Sequence, residues 1–377
     1  MLLGGAITVS NAQTTKINVV TSAVPFLRVT PDARSGGMGD IGIATAPDAN
    51  ANFSNIARTP FGTSKFGIAI NYVPWLRDLS VNDVYLASLA GYFKLDDKQA
   101  ISASFRYFSL GQIQFTDALG NNLNIGRPKE FAFDLGYSRK LTKKLSLGIA
   151  LRYINSSLAN GTFNGQSYKA ASAVAGDIHV YHQGTKENGQ GLNWGLTLSN
   201  LGSKISYSSD ANSKDYIPAN LGLGLNYTKV FNESNKISFG LEVNKLLVPT
   251  PPVVGAIGST PGSDSAALAK YRNKSVVSSW FSSFGDAPGK FNEEIEEITL
   301  GVGAEYWYNN QFAFRAGYFY ENANKGNRKY FTVGASVRYS MFGLNFAYLF
   351  PSGSGTNRNP LSNTWRFGLV FDMAAKK

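Results

Sequence analysis

From about residue 65 to the C-terminus, large apolar residues alternate with small or polar ones at a period of two. In KFGIAINYV, Phe66, Ile68, Ile70 and Tyr72 share one face, and Lys65, Gly67, Ala69 and Asn71 share the other. In EFAFDLGYS, Phe131, Phe133, Leu135 and Tyr137 stand opposite Ala132, Asp134, Gly136 and Ser138. Successive side chains of a strand point to opposite faces, so the pattern predicts strands with one large apolar face each. Fourteen segments carry it, near 65–73, 84–93, 100–109, 130–139, 145–154, 171–181, 191–199, 219–227, 236–245, 297–307, 311–320, 330–339, 342–350 and 364–373. Their connections alternate between long and short, as in an up-and-down meander whose short turns all lie at one end. The longest connection covers residues 246–296.

A soluble sandwich and a membrane barrel both produce such alternation. Three features favour the barrel. Strict segregation of short and long connections is the habit of outer-membrane barrels, with short periplasmic turns and long external loops. The second face is rich in Gly, Ala, Ser and Asn, a poor filling for a dry core. Aromatic residues sit near the ends of the apolar rows (Tyr72, Trp75, Tyr107, Tyr137, Tyr153, Tyr227, Tyr306, Tyr339 and Trp365), as in the girdles at two lipid interfaces. The strand charges Arg106, Asp134, Arg152, Glu242, Glu305, Arg315, Arg338, Arg366 and Asp372 all fall on the small-residue face. An arginine on the lipid face at the midplane would cost about 2–4 kcal/mol, so that face lines the lumen. Because lipid offers no hydrogen bonds to backbone groups, the first strand must close on the fourteenth. Lys65 and Asp372 are then expected to meet at the seam, near the short-turn rim. The same meander places both termini at the periplasmic end and the connections near 116, 162, 208 and 270 outside.

Composition agrees with strands: 39 Gly, 25 Phe and 19 Tyr against 16% charged residues. Cysteine is absent, which removes disulfides, thiol nucleophiles and thiolate metal sites. The net charge of +11 is compatible with nucleic acid, anionic lipid or nothing specific, and no basic block settles it, SRKLTKK being the densest; for a membrane barrel no nucleic-acid partner is expected. No stretch of eighteen or more apolar residues is present, and the chain has no helical membrane span. At the N-terminus an apolar run ends in Ser10-Asn11-Ala12, like a signal-peptidase site. The expected organisation is a residual signal peptide over 1–12, an N-terminal segment and plug over 13–63, and the barrel over 64–377 with the long loop 246–296.

Before the first strand, Gly37-Met38-Gly39-Asp40-Ile41-Gly42 reads as a G-x-G-x-x-G. A dinucleotide fingerprint needs a strand before it and a helix after it. Pro31 stands on one side and Pro47 on the other, and no acidic residue follows at the ribose spacing. A lumen plug explains the glycines better, since a chain folded inside a barrel needs tight turns and close backbone approach.

That segment resembles the plug of FadL-type outer-membrane proteins. VTPDARSGGMGDIGIATAPDAN, together with EYWYNNQFAFRAGYFYENANKGNRKYFTVG, more specifically resembles the PorV family of the type IX secretion system, over about residue 24 to the C-terminus. The resemblance implies a fourteen-stranded antiparallel transmembrane β-barrel in the outer membrane, its long loops at the cell surface. It further implies a non-enzymatic shuttle that binds the C-terminal signal domains of secreted cargo at a SprA-type translocon and carries them to a PorU-type attachment complex. The alternative is a FadL-like channel for hydrophobic solutes. In the plug, Arg34 and Asp40 are expected to pair with lumen side chains, and Gly37, Gly39 and Gly42 to serve close packing. No cofactor or metal is expected, and lipid is the surrounding partner.

Two further places bear on function. Asp177 and His179 share the lumen face and suit either an acid/base pair or lumen hydrogen bonding. His182 points the other way, so the two histidines cannot hold one metal. In the long loop, NKSVVSSWFSSFGD sets Val276, Val277, Trp280, Phe281 and Phe284 on one helical stripe. That stripe either folds back on the barrel or docks a partner through Trp280, Phe281 and Phe284. The following NEEIEE reads as a solvated charge run.

Overall fold

The computed structural model describes residues 18–76, 81–116, 119–159, 161–163, 166–208, 214–255, 260–352 and 363–374. The signal remnant expected over 1–12 lies outside these residues. Eighteen strands follow in chain order: β1 Ser64–Pro74, β2 Val84–Lys94, β3 Gln99–Leu110, β4 Ile113–Thr116, β5 Asn122–Gly126, β6 Lys129–Lys140, β7 Leu145–Ser157, β8 Gly161–Phe163, β9 Gln166–Tyr168, β10 Ala171–His182, β11 Gly191–Gly202, β12 Asn220–Val230, β13 Asn235–Leu246, β14 Ile298–Tyr308, β15 Phe312–Tyr320, β16 Lys329–Tyr339, β17 Phe342–Pro351 and β18 Trp365–Ala374. Fourteen of them close into an antiparallel barrel in the order β1-β18-β17-β16-β15-β14-β13-β12-β11-β10-β7-β6-β3-β2. Each of the fourteen sequence segments is one of these strands. The hairpins β4–β5 and β8–β9 extend two of the long connections and had no counterpart in the alternation.

The two faces separate as their chemistry requires. Ile70, Leu151 and Phe314 point outward and are 54%, 70% and 61% exposed. Arg106, Asp134, Arg152, Glu242, Glu305, Arg315 and Arg366 point inward and are buried. Tyr153, Tyr227, Tyr339 and Trp365 stand exposed near strand ends. Trp75 departs from the girdle and packs edge-on against Phe108, at 5.0 Å between ring centroids.

The seam closes as expected between β1 and β18, with one correction in register. Ile68 faces Phe371 and Ala69 faces Val370, but Asp372 faces Gly67 and the register shifts between Ser64 and Phe66. Lys65 is the extra residue of that bulge. An extra residue breaks the two-residue alternation, so Lys65 leaves the lumen face and lies over the Phe93 ring, 5.5 Å from its centroid. Asp372 instead approaches Arg338, at 3.6 Å.

The path into the barrel is a second correction. Asn18 donates its backbone N–H to Asn324 and Ala23 donates to Tyr216, both at the end bearing the long connections. At the other end, Lys94 Nζ donates to the Gly62 carbonyl just before β1 begins. The described chain therefore enters at the long-connection mouth and crosses the whole lumen, instead of starting at the short-turn end where β18 finishes. Alternation fixes where β1 starts but carries no information on how the preceding segment reaches it.

The seam can be tested directly because the chain is cysteine-free. Ile68→Cys with Phe371→Cys, paired on the lipid face, should be joined by a short bis-maleimide and migrate as a circular species. Ile68→Cys with Phe346→Cys should not. Equal cross-linking of both pairs would mean that the barrel does not close at β1 and β18.

Candidate functional site

Residues 33–61 fill the lumen. A single helical turn, α1 Ala33–Gly36, is capped by Asp32, whose carboxylate accepts the Ser35 N–H at 2.8 Å. The turn aims Arg34 at the wall. There it donates two parallel bonds to Glu305 at 2.8 and 2.9 Å, and a third to Asp48 at 2.7 Å. Glu305 also accepts from Arg315 at 2.7 Å. Such bidentate, charge-assisted bonds fix geometry as well as charge.

Asp40 takes a left-handed backbone conformation, φ 64°, and its carboxylate accepts from Arg366 and from the Tyr330 hydroxyl. Glu242 accepts the N–H groups of Gly42 and Ile43 at 2.7 and 2.9 Å. The plug is thereby tied to β13, β14, β16 and β18 at once.

The glycines are needed where plug backbone meets wall backbone. A Cβ on Gly39 (φ 70°) would lie 2.6 Å from the Val302 carbonyl and 2.7 Å from that of Tyr318. One on Gly37 would lie 3.1 Å from the Cα of Gly334; Gly42 instead serves packing within the plug, where a Cβ would lie 2.8 Å from the Ser54 Cβ. The wall reciprocates: Gly303 and Gly317 receive Met38, Gly224 receives Ile43, and Gly148 receives Ile56. The small-residue face of the strands is a mould for the plug.

Arg58 was not singled out by sequence. It is 1% exposed and donates to Ser54 Oγ at 2.9 Å and to the carbonyls of Asn55 and Thr45 at 3.2 Å. It also lies 3.7 Å from Asp48. The available signal was a lone arginine in NIARTPF, within a segment already assigned to a buried place.

Asp177 and His179 do share the lumen face, but Asp177 is engaged elsewhere. It accepts from Arg152 at 2.9 Å and from the Asn200 N–H at 2.7 Å. His179 Nε2 lies 3.8 Å from Asp177, beyond hydrogen-bond reach, and among the described residues neither buried ring nitrogen has a hydrogen-bond partner. Among the described residues, no group of three His, Asp or Glu side chains is placed to hold a metal.

The long loop carries three helices: α2 Pro261–Asn273, with a Thr260/Ser263 capping box, α3 Val276–Ser282 and α4 Lys290–Glu296. Its stripe divides. Trp280 turns partly inward with its indole N–H buried, whereas Phe281 is 76% and Phe284 52% exposed. Phe291, at 75%, and Ile295, at 50%, are exposed on α4 as well; the sequence reading missed them because they lie within a charged stretch.

That stretch, NEEIEE, is not a solvated run. Lys245 Nζ bonds Glu294 and Glu297, both at 2.8 Å, and Lys325 Nζ bonds Glu293 at 2.6 Å and Glu297 at 3.0 Å. Two lysines from the barrel and its connections thus bond three of the four acids and pin the loop over the mouth. Burial pushes the Glu293 carboxyl up, but the Lys325 and Gly289 hydrogen bonds and the Lys325 charge hold it below the usual carboxylate range. Lys204 Nζ donates to the carbonyls of Arg272 and Lys274 at 2.6 and 2.7 Å, stitching the loop to the β11–β12 connection.

Known structures of the same fold include transporters and channels for aromatic hydrocarbons. The toluene transporter TbuX of Ralstonia pickettii superposes with a TM-score of 0.57 at 13% identity, covering 92% of this chain and 98% of its own. The toluene transporter TodX of Pseudomonas putida gives 0.51 at 13%, with 94% and 98% covered. The monoaromatic hydrocarbon channel CymD gives 0.51 at 13%, with 92% and 98% covered. These likenesses establish the fold. No curated protein matches the sequence. The family described as type IX secretion system protein PorV matches residues 11–253. That match covers more than half of the chain, and the protein therefore belongs to the PorV family, as an outer-membrane component of type IX secretion.

Proposed function

We propose that the protein acts as a cargo-binding shuttle. It receives secreted proteins at a SprA-type translocon through their C-terminal signal domains and hands them to a PorU-type attachment complex, with its long loops at the cell surface. The observation that carries this reading is the exposure of four large apolar side chains in the one long loop, Phe281 and Phe284 after Trp280, and Phe291 and Ile295 on α4. They stand exposed at the long-loop mouth, and the α4 end of the loop is held by buried ion pairs. An apolar surface on a rigid base suits recognition, because little ordering entropy remains to be lost on binding.

The rival reading, a channel for hydrophobic solutes, draws on the fold shared with the toluene transporters. Here the lumen cavity beside the plug is only about 140 Å³ and is lined by Asp32, Asp40, Glu242, Arg28 and Arg328. Charged walls disfavour apolar cargo, so the shuttle is the better-supported reading.

Three outcomes are expected. Phe281→Asp with Phe291→Asp should lower recovery of translocon or cargo by about tenfold or more, as loss of interface anchors does, while the barrel keeps its resistance to heat in detergent. Undiminished recovery would return the loop to a lid without a docking role. A cysteine at Phe281 should react with a membrane-impermeant maleimide on intact cells, and one at Thr142 should not; the opposite result would invert the orientation.

The intact protein should be silent in planar bilayers. Removing residues 33–58 should open it. Asp40→Asn, which strands Arg366, should loosen the plug by roughly 3–5 kcal/mol, read as faster hydrogen exchange over 33–61. Steady conductance of the intact barrel would favour the solute channel.

A further inference from the structure

The outer wall carries a depression near the short-turn rim. On the lipid face, Gly91 of β2 pairs with Ala103 of β3, and Ala103 pairs with Leu135 of β6. Phe93 and Ile101 rise on one side of these small residues, and Leu89, Phe105 and Phe133 on the other. They enclose an apolar groove of about 540 Å³.

Four residues along β3 from Ala103, roughly 13 Å at the usual rise per strand residue, the wall ends in its most basic turn. Arg139, Lys140, Lys143 and Lys144 bracket Leu141, and the Lys140 N–H is bonded to the Lys98 carbonyl of the neighbouring turn. Arg139 shares the outward face with Tyr137 and Leu135. Arg139, Lys143 and Lys144 are exposed, and among the described residues none has a carboxylate within 4.0 Å. The adjacent turn carries two acids: Asp96, which accepts the N–H groups of Lys98 and Gln99 and whose charge is felt by Arg139, and Asp97, whose charge is felt by Lys140; Lys143 and Lys144 stand beyond both. Lys140 faces inward over the Phe61 ring. The other short turns lack this surplus: Lys229 and Lys236 flank Glu233, and Asn309, Asn310 and Gln311 carry no charge.

We propose that this corner of the wall is a binding site for one anionic phospholipid of the leaflet at the short-turn end. An acyl chain lies in the Gly91/Ala103 groove, and the phosphate sits among Arg139, Lys143 and Lys144. The separation suits this occupant, since a half-bilayer of hydrocarbon is about 15 Å deep. Charge decides the headgroup: unpaired cations beside an apolar floor favour a net-negative lipid over a zwitterionic one.

The test is native mass spectrometry of the full chain in neutral detergent with equimolar palmitoyl-oleoyl phosphatidylglycerol and phosphatidylcholine. Wild type should retain phosphatidylglycerol over phosphatidylcholine by about tenfold or more, in keeping with three cations near a lipid surface. Arg139→Gln, Lys143→Gln and Lys144→Gln together should abolish the preference. Ala103→Phe, which fills the groove, should reduce retention of both lipids. Equal retention by wild type, or a triple variant that keeps the preference, overturns the site, and undiminished retention by Ala103→Phe overturns the groove as the seat of the tail. Should Ala103→Phe fail to migrate as a folded barrel, the triple variant decides, because it alters only exposed residues at the rim.

Discussion

Every feature of this protein follows from one constraint: in lipid, no strand may leave its N–H and C=O groups unpaired. Fourteen strands satisfy it by closing β1 against β18, and closure creates a lumen wider than short inward side chains can fill. The solution is built from both sides. The strands contribute Gly303, Gly317, Gly224 and Gly148, and the preceding segment contributes Met38, Ile43 and Ile56 to occupy the space they leave. A barrel wall so rich in glycine would be a weak sheet by itself, because glycine has no side chain to pack; against the plug, the same positions become contact.

Charge gives that packing its register. Arg34 sits between Glu305 on the wall and Asp48 within the plug, and Asp40 meets Arg366 and Tyr330. Buried ion pairs add little net stability over apolar packing of equal volume, but a partner removed leaves a costly lone charge. Any slip of the plug by one turn would strand several charges together. The lumen charges therefore act chiefly to select one position of the plug among many that glycine alone would tolerate.

Strands and faces were legible in the sequence because both follow from a period-two pattern repeated fourteen times. The destination of Lys65 was not: one bulged residue reverses its face, and nothing local in TSKFG marks the bulge. NEEIEE was misread for a different reason. Three of its acids are bonded by Lys245 and Lys325, which lie far away in sequence and converge only when β13 and the β15–β16 connection come together at the mouth. The entry of the chain at the long-connection end rests likewise on distant partners, Asn324 and Tyr216. Local chemistry predicted elements, whereas long-range charge pairing and chain path needed the closed barrel.

The two ends of the molecule carry opposite solutions to the same boundary problem. At the long-loop mouth, polar groups are drawn inward to hold the lid, and aromatic side chains are left outside: Phe281, Phe284 and Phe291 are exposed, while Glu294 and Glu297 are buried. This inverts the ordinary ordering of a globular surface, and such an inversion needs a compensating contact. At the short-turn rim, Arg139, Lys143 and Lys144 stand outside over an apolar wall, an arrangement stabilised by the headgroups of the membrane that holds the barrel. A plugged interior offers little room for transport of large solutes. What remains available for recognition is the outer surface, and its least self-satisfied part is the aromatic face of the long loop.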